Sequence, residues 1–117
     1  AVPRCIFTNP EVASVGRTEA ELGAEKLSFK SVTVPIRVVG RANTSDVNDG
    51  FIKVHAAKKT GVLLGATVVS PHAGEVLHEL ALAIQNDLTA KQVAETIHAF
   101  PTWSEVVRVA CAKLARI

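Results

Sequence analysis

The chain has 117 residues, a formal net charge of +2 and no methionine. This length allows one domain with one hydrophobic core and excludes two large nucleotide-binding domains within the chain. Hydrophobic residues make up 48% and charged residues 21%, as in ordinary globular proteins, while aromatic residues reach only 4%. The small net charge argues against electrostatic binding of nucleic acid, and the few aromatic rings argue against a base-stacking surface, so we expect no nucleic-acid partner.

Targeting and cysteine patterns point to a reduced compartment. The longest apolar stretch, near residues 62–69, is interrupted by Gly65 and is far shorter than the roughly 18 residues of a membrane span. No basic segment followed by an apolar core opens the chain, so we expect a cytoplasmic protein without membrane contact. Cys5 and Cys111 stand at opposite ends without C-x-x-C spacing, which predicts two buried free thiols and no metal site.

The first half of the chain reads as strands around one short helix. Residues 4–8 and 12–15 are β-favouring runs, and a capping box at residues 18–21 predicts a helix to about Lys26. Residues 31–39 alternate in polarity, which indicates a strand with one buried face, and Pro35 favours a sheet edge. Residues 40–50 are turn-rich. Residues 51–57 alternate again and place His55 on the solvent side.

A hairpin turn at residues 58–61 leads into a strand at 61–69 that is apolar on both sides. We expect this strand to be central, with Gly65 and Ala66 allowing another element to pack closely over it. Ser70 and Pro71 predict the cap and first turn of a helix that ends near residues 86–87. The fold class is therefore α+β, a mainly antiparallel sheet of four to five strands with helices over one face.

Two further helices are predicted near the end of the chain. A capping box at residues 89–92 opens a short helix, and another at residues 102–105 opens the last one. The residues expected to share the apolar face of the first are Ala90, Val93, Ala94 and Ile97. Those expected on the apolar face of the second are Val107, Ala110, Leu114 and Ile117. Pro101 separates the two segments.

Two segments carry a family resemblance. Residues 9–19, NPEVASVGRTE, resemble the start of the C-terminal dimerisation domain of the pyridine nucleotide-disulfide oxidoreductases, the flavoenzyme family of glutathione reductase, lipoamide dehydrogenase and mercuric reductase. Residues 63–66 and 71–75, LLGA and PHAGE, are similar to the same family. The resemblance places the helix after Pro71 near the subunit contact, so His72 and Glu75 become interface candidates.

The end of the chain resembles the terminal motif of the family except at the position of its histidine. Residues 97–105, IHAFPTWSE, resemble a segment in which a histidine precedes Pro-Thr and a later glutamate hydrogen-bonds that histidine. In the family this pair works in the partner subunit's active site, where the imidazole exchanges protons with a dithiol near the flavin. The histidine position is Phe100 here, and a phenyl ring accepts no proton. Phe100, Pro101 and Glu105 join the interface candidates.

No residue is therefore predicted with certainty as catalytic. His98 and Glu105 are the remaining candidates for an acid-base role, since imidazole and carboxylate are the side chains that exchange protons near neutral pH. Each has a plainer interpretation, His98 as a polar residue at a helix end and Glu105 as a cap of its own helix. A hydrolytic enzyme using His98 with Glu105, or His72 with Glu75, lacks an identifiable nucleophile.

The resemblance implies FAD and NAD(P) as cofactors of a parent enzyme, with none bound in residues 1–117, because the chain has neither G-x-G-x-x-G nor a close cysteine pair. The expected partners are a second copy and the FAD and NAD(P) domains of the parent. The missing methionine agrees with an excised single domain.

An aromatic residue at position 100 resembles mercuric reductases and soluble transhydrogenases, yet the vicinal cysteines of mercuric reductases are absent. A stand-alone self-associating module is the alternative.

Overall fold

The computed structural model describes residues 1–117 as one five-stranded sheet with five α-helices and a 3-10 turn. The strands are β1 (Arg4–Ile6), β2 (Glu11–Gly16), β3 (Phe29–Pro35), β4 (Phe51–Ala57) and β5 (Leu63–Ser70). The helices are α1 (Glu19–Ala24), α2 (Gly40–Thr44), α3 (Ala73–Gln85), α4 (Ala90–Ala94) and α5 (Glu105–Ala115), and the 3-10 turn is Ile36–Val38. The strand order is β1-β2-β5-β4-β3 with every neighbouring pair antiparallel, which confirms the predicted fold class.

The predicted positions of two strands are confirmed. β5 is central and pairs with β2 on one side and β4 on the other, whereas β3 is an edge strand that Pro35 ends. The backbone of Arg17 lies over Gly65, because the Arg17 amide donates to the Leu64 carbonyl at 3.0 Å. Any side chain at Gly65 would collide with the carbonyl oxygen of Arg17. The close packing expected over this glycine is therefore backbone on backbone.

One hydrophobic core holds the sheet and helices together. α3 packs on β5 and β2, α5 packs on β3 and β4, and 25 buried residues form a single cluster contributed by this chain alone. The other face of the sheet is partly covered by the start of α1, where Glu19 Oε1 accepts from Lys53 Nζ at 2.9 Å. None of the helices is both long and apolar enough to pass through a membrane.

His55 is buried in β4, so its predicted solvent-facing position is wrong. Its Nδ1 lies 2.6 Å from the hydroxyl of Ser31 on β3, and its ring meets Phe29 edge to face. A register shift after His55 interrupts the alternation of β4 at this point. Burial lowers the pKa of His55, an effect that Glu19 opposes and Lys53 supports. Burial therefore favours the neutral form of this imidazole.

The start of α3 also differs from the sequence-based expectation. Ser70 is the last residue of β5, and its hydroxyl donates to the Pro71 carbonyl at 2.8 Å instead of capping a helix. The cap residue is His72, in a left-handed conformation with φ of 57°. An amide of the first turn, that of Gly74, donates to Glu11 Oε1 of β2 at 3.3 Å. A carboxylate 63 residues away in the sequence thus replaces the local cap.

Other boundaries shift by a few residues. β3 stops at Pro35 instead of continuing to residue 39, and the amide of Ile36 turns to the Gly50 carbonyl at 3.0 Å. α2 occupies part of the stretch predicted as turns. α4 ends at Ala94, so Ile97 lies outside it and is 96% exposed, and Ile117 is exposed as well. The apolar faces predicted to include Ile97 and Ile117 therefore end before these residues.

Candidate subunit-contact site

Three of the predicted contact residues line one surface recess. His72 and Glu75, at the start of α3, face Pro101 across an opening of about 300 Å³. The remaining lining residues are Arg41, Val76, Thr102, Trp103 and Ser104. Because β5 and the loop before α5 end at this edge of the molecule, residues far apart in the sequence converge there. Arg41 of α2 completes the recess, and sequence periodicity gives no reason to place it there.

Phe100 lies beside this recess and faces water. Its side chain is 78% exposed, although one edge packs on the start of α2, where a methyl group added to Gly40 would lie 3.2 Å from the ring. Ile97, three residues earlier, is almost fully exposed. We call residues 97–104 the contact segment. Its large apolar side chains leave a patch of the kind that marks protein contacts.

Glu105 is used within its own chain. The side chain is buried, and its Oε2 accepts from the Thr102 amide at 3.3 Å. The hydroxyl of Thr102 donates to the Ala99 carbonyl at 2.7 Å instead of completing the predicted capping box. Half of the predicted box therefore forms, but α5 begins at Glu105 with Ser104 as the cap residue, and no side chain caps this helix.

His98 is bound on both ring nitrogens. Nε2 lies 2.7 Å from Glu79 Oε2 on α3, and Nδ1 lies 2.7 Å from the Thr96 carbonyl oxygen. The side chain is only 6% exposed. A carbonyl and a carboxylate both accept hydrogen, so each ring nitrogen of His98 faces an acceptor within its own chain. These contacts fix the position of the ring between α3 and the loop after α4.

The pairs proposed for a hydrolytic enzyme are not formed. His98 pairs with Glu79 instead of Glu105, and His72 makes no hydrogen bond to Glu75. Sequence reasoning missed Glu79, because a contact between α3 and a loop 19 residues later has no local pattern.

Both cysteines are poor nucleophiles in this structure. Burial, and secondarily the Glu79 carboxylate, raise the pKa of Cys111 to about 12. Cys5 is half-buried, and its pKa is raised by desolvation and by Glu11, whose carboxylate oxygen lies 3.8 Å from the sulfur. The reactive form of cysteine is the thiolate, so neither side chain is activated. The chain brings together no group of three or more histidine, cysteine or acidic side chains that could hold a metal ion.

Comparison with known proteins gives a consistent result. Residues 2–111 match the model of the pyridine nucleotide-disulphide oxidoreductase dimerisation domain. The dihydrolipoyl dehydrogenase of Haloferax volcanii is 46% identical over 92% of this chain and 22% of its own length. Dihydrolipoyl dehydrogenase 2 of Arabidopsis thaliana is 41% identical over 93% of this chain and 22% of its own length.

Solved structures share the fold. LpdA from Mycobacterium tuberculosis superimposes with a TM-score of 0.91 at 33% identity, covering 97% of this chain and 25% of that one. The flavoprotein disulfide reductase RclA from Escherichia coli gives 0.90 over 95% of this chain and 26% of its own, and at 23% identity it shows the fold alone. The chain belongs to the pyridine nucleotide-disulfide oxidoreductase family and is its dimerisation domain. It spans about a quarter or less of the relatives it matches.

Proposed function

We propose that this chain is the C-terminal dimerisation domain of a homodimeric FAD- and NAD(P)-dependent oxidoreductase of the lipoamide dehydrogenase type. In the parent enzyme, the contact segment of one subunit lies against the active site of its partner. The observation that carries this proposal is the outward placement of Phe100 and Ile97 beside the recess of His72, Glu75 and Pro101. Apolar side chains of this size are stabilised when a partner covers them.

The cofactors belong to other parts of the parent in this proposal. A dinucleotide site of the usual kind needs a parallel βαβ unit with a glycine-rich turn, and this sheet is antiparallel throughout. The residues present therefore do not fit FAD or NAD(P). A second apolar patch at β1, formed by Val2, Ile6 and Phe7, is the surface on which we place the FAD and NAD(P) domains of the parent.

The role of Phe100 separates this parent from relatives that use a histidine at the corresponding position. The phenyl ring supplies apolar contact and no proton transfer, and Glu105 is turned to its own backbone. We propose that the parent does not use this position as an acid-base group. In every relative described above the matched domain is part of a longer chain, which favours this proposal over a stand-alone module.

Self-association can be tested with a matched pair of variants. Phe100→Asp and Phe7→Asp each place a carboxylate where an exposed phenylalanine stands, 78% and 81% exposed respectively. Sedimentation velocity should show a dimer for the unmodified chain and for Phe7→Asp, and a shift to monomer for Phe100→Asp. A strict monomer at high concentration for all three, or equal weakening by both variants, would contradict the placement of the contact.

The acid-base proposal is tested in the full-length parent. Phe100→His should add a titrating group with a pKa near 6 to 7 to the pH profile of dithiol turnover. The unmodified enzyme should show no such group at this position. If Phe100→Ala abolished turnover at every pH while the dimer stayed intact, packing alone would not explain the role of this residue.

A further inference from the structure

A basic recess lies at the opposite end of the strands from the contact segment, and three elements frame it. Lys30 stands on β3, Lys58 and Lys59 stand on the turn between β4 and β5, and Lys91 stands on α4. The opening has a volume of about 300 Å³, the lower end of the range of small-ligand sites. Four positive charges from distant parts of the sequence thus share one cavity.

The positions of these lysines are fixed by backbone hydrogen bonds. The Lys58 amide donates to the Ser28 carbonyl at 3.1 Å, which ties the turn to the start of β3. The Ala90 amide donates to the Gly61 carbonyl at 2.9 Å, which ties the same turn to the start of α4. Backbone hydrogen bonds therefore hold the three elements that frame the recess in fixed positions relative to one another.

No acidic side chain compensates these charges. The ion pairs of the chain all lie elsewhere, and no acidic residue lines the recess. Lys30 Nζ donates to the main-chain oxygen of Ile117 at 3.3 Å, and it forms no ion pair with an acidic side chain. A cleft lined by one sign of charge concentrates counter-ions and favours ligands of opposite charge. The charge of this recess therefore favours an anionic ligand.

The donor set indicates which anion. All four charged groups are lysines, which act as point charges, and the planar two-pronged arginine fork that suits carboxylates is absent. Thr60 Oγ1 accepts from the Val62 amide at 3.2 Å and leaves its own hydrogen for a ligand. Several separate point charges around one opening suit a compact anion with more than one negative charge and many oxygen atoms.

We infer that this recess binds a small multivalent phosphate anion, held by Lys30, Lys58, Lys59 and Lys91, with the hydroxyl of Thr60 as a neutral donor. The site is independent of the contact segment and of the dimer proposed above. It provides the domain with a ligand site of its own, outside the cofactor sites of the parent.

Inorganic pyrophosphate is the probe that tests this site. Titration of the chain should give saturable one-to-one binding by calorimetry, with amide shifts in nuclear magnetic resonance spectra centred on residues 58–61 and 89–91. Orthophosphate should bind more weakly because it carries less charge, and raising the salt concentration should weaken both. Citrate, a multivalent carboxylate, should also bind more weakly than pyrophosphate.

Two double variants with equal charge loss separate a site from general attraction. Lys58→Gln with Lys91→Gln should lower pyrophosphate affinity by about tenfold or more. Arg4→Gln with Arg37→Gln removes two exposed charges outside the recess and should leave affinity nearly unchanged. Absence of saturable binding, equal loss in both variants, or citrate binding as tight as pyrophosphate would overturn the inference. Thermal unfolding of both variants should match that of the unmodified chain.

Discussion

The sheet and the contact segment place their side chains in opposite ways. In the sheet, apolar residues such as Ile52, Val54 and Val68 are fully buried. In the contact segment, Ile97 and Phe100 face water, whereas the polar ring of His98 is turned inward. The core face of the sheet is therefore covered within one chain, whereas the contact segment leaves Ile97 and Phe100 exposed, as the proposed subunit contact requires. Substitutions in each region test this contrast.

Shortening an apolar side chain should lower the free energy of unfolding strongly in the core and only slightly in the contact segment. Leu80→Ala removes a fully buried side chain of α3 and should lower the free energy of unfolding by about 2–5 kcal/mol. Ile97→Ala should change it by about 0.5 kcal/mol or less. Leu82→Ala, two positions from Leu80 and exposed, is the control on the same helix. Denaturant titration measures all three, and similar losses for Leu80→Ala and Ile97→Ala would remove the contrast.

The backbone packing over β5 makes stability sensitive to substitution of Gly65. Gly65→Ala forces a methyl group against the Arg17 carbonyl, so the free energy of unfolding should fall by about 1–3 kcal/mol. Gly23→Ala, in α1 with open space around it, should raise the same quantity by about 0.4–1 kcal/mol. Thermal unfolding of the two variants should therefore shift in opposite directions. Equal shifts would show that the contact over Gly65 is not tight.

Loss of the contact between His98 and Glu79 should lower stability by a comparable amount and loosen mainly the contact segment. Glu79→Ala leaves the Nε2 donor of the buried His98 ring without a partner and should cost about 1–3 kcal/mol. Glu79→Gln keeps an acceptor at this position and should cost less. Hydrogen exchange of the amides in residues 96–102 should accelerate in the alanine variant. Unchanged exchange there would mean that this pair does not hold the segment in place.

The pH dependence of His55 is the smallest effect. Because burial lowers its pKa below the ordinary value of about 6.5, the unfolded chain takes up a proton there that the folded chain does not. The stability linked to His55 is therefore present above about pH 6.5 and falls as the pH decreases from that value toward the lowered pKa. His55→Gln should flatten this decline between about pH 7 and 5.5 in urea titrations.

The stability linked to Glu19 depends on pH in a different, lower range. Its hydrogen bond with Lys53 lowers its pKa, so the stability that depends on this carboxylate is lost only at pH values below its ordinary range of about 4 to 4.5. The two declines are distinct, and His55→Gln should leave the one at lower pH in place. An unchanged decline near pH 6 in this variant would assign it to another group.

Sequence patterns determined the features that depend on near neighbours. The capping boxes at Thr18 with Glu21 and at Thr89 with Gln92 both form, because each hydrogen bond joins residues three apart. Period-two alternation located β3 and β4, short β-favouring runs located β1 and β2, and apolarity on both sides identified β5 as central. The contact residues His72, Glu75 and Pro101 were candidates by family resemblance alone, and they line one recess.

Tertiary structure decided which polar groups meet. The carboxylate of Glu11 caps α3 from 63 residues away, His98 pairs with Glu79, and the imidazole of His55 meets Ser31 of the neighbouring strand. The four lysines of the basic recess are likewise assembled from three elements. Periodicity reports which face of an element is buried, whereas a hydrogen bond or a charge cluster across elements depends on how they pack. Those contacts therefore emerge only when the chain is folded.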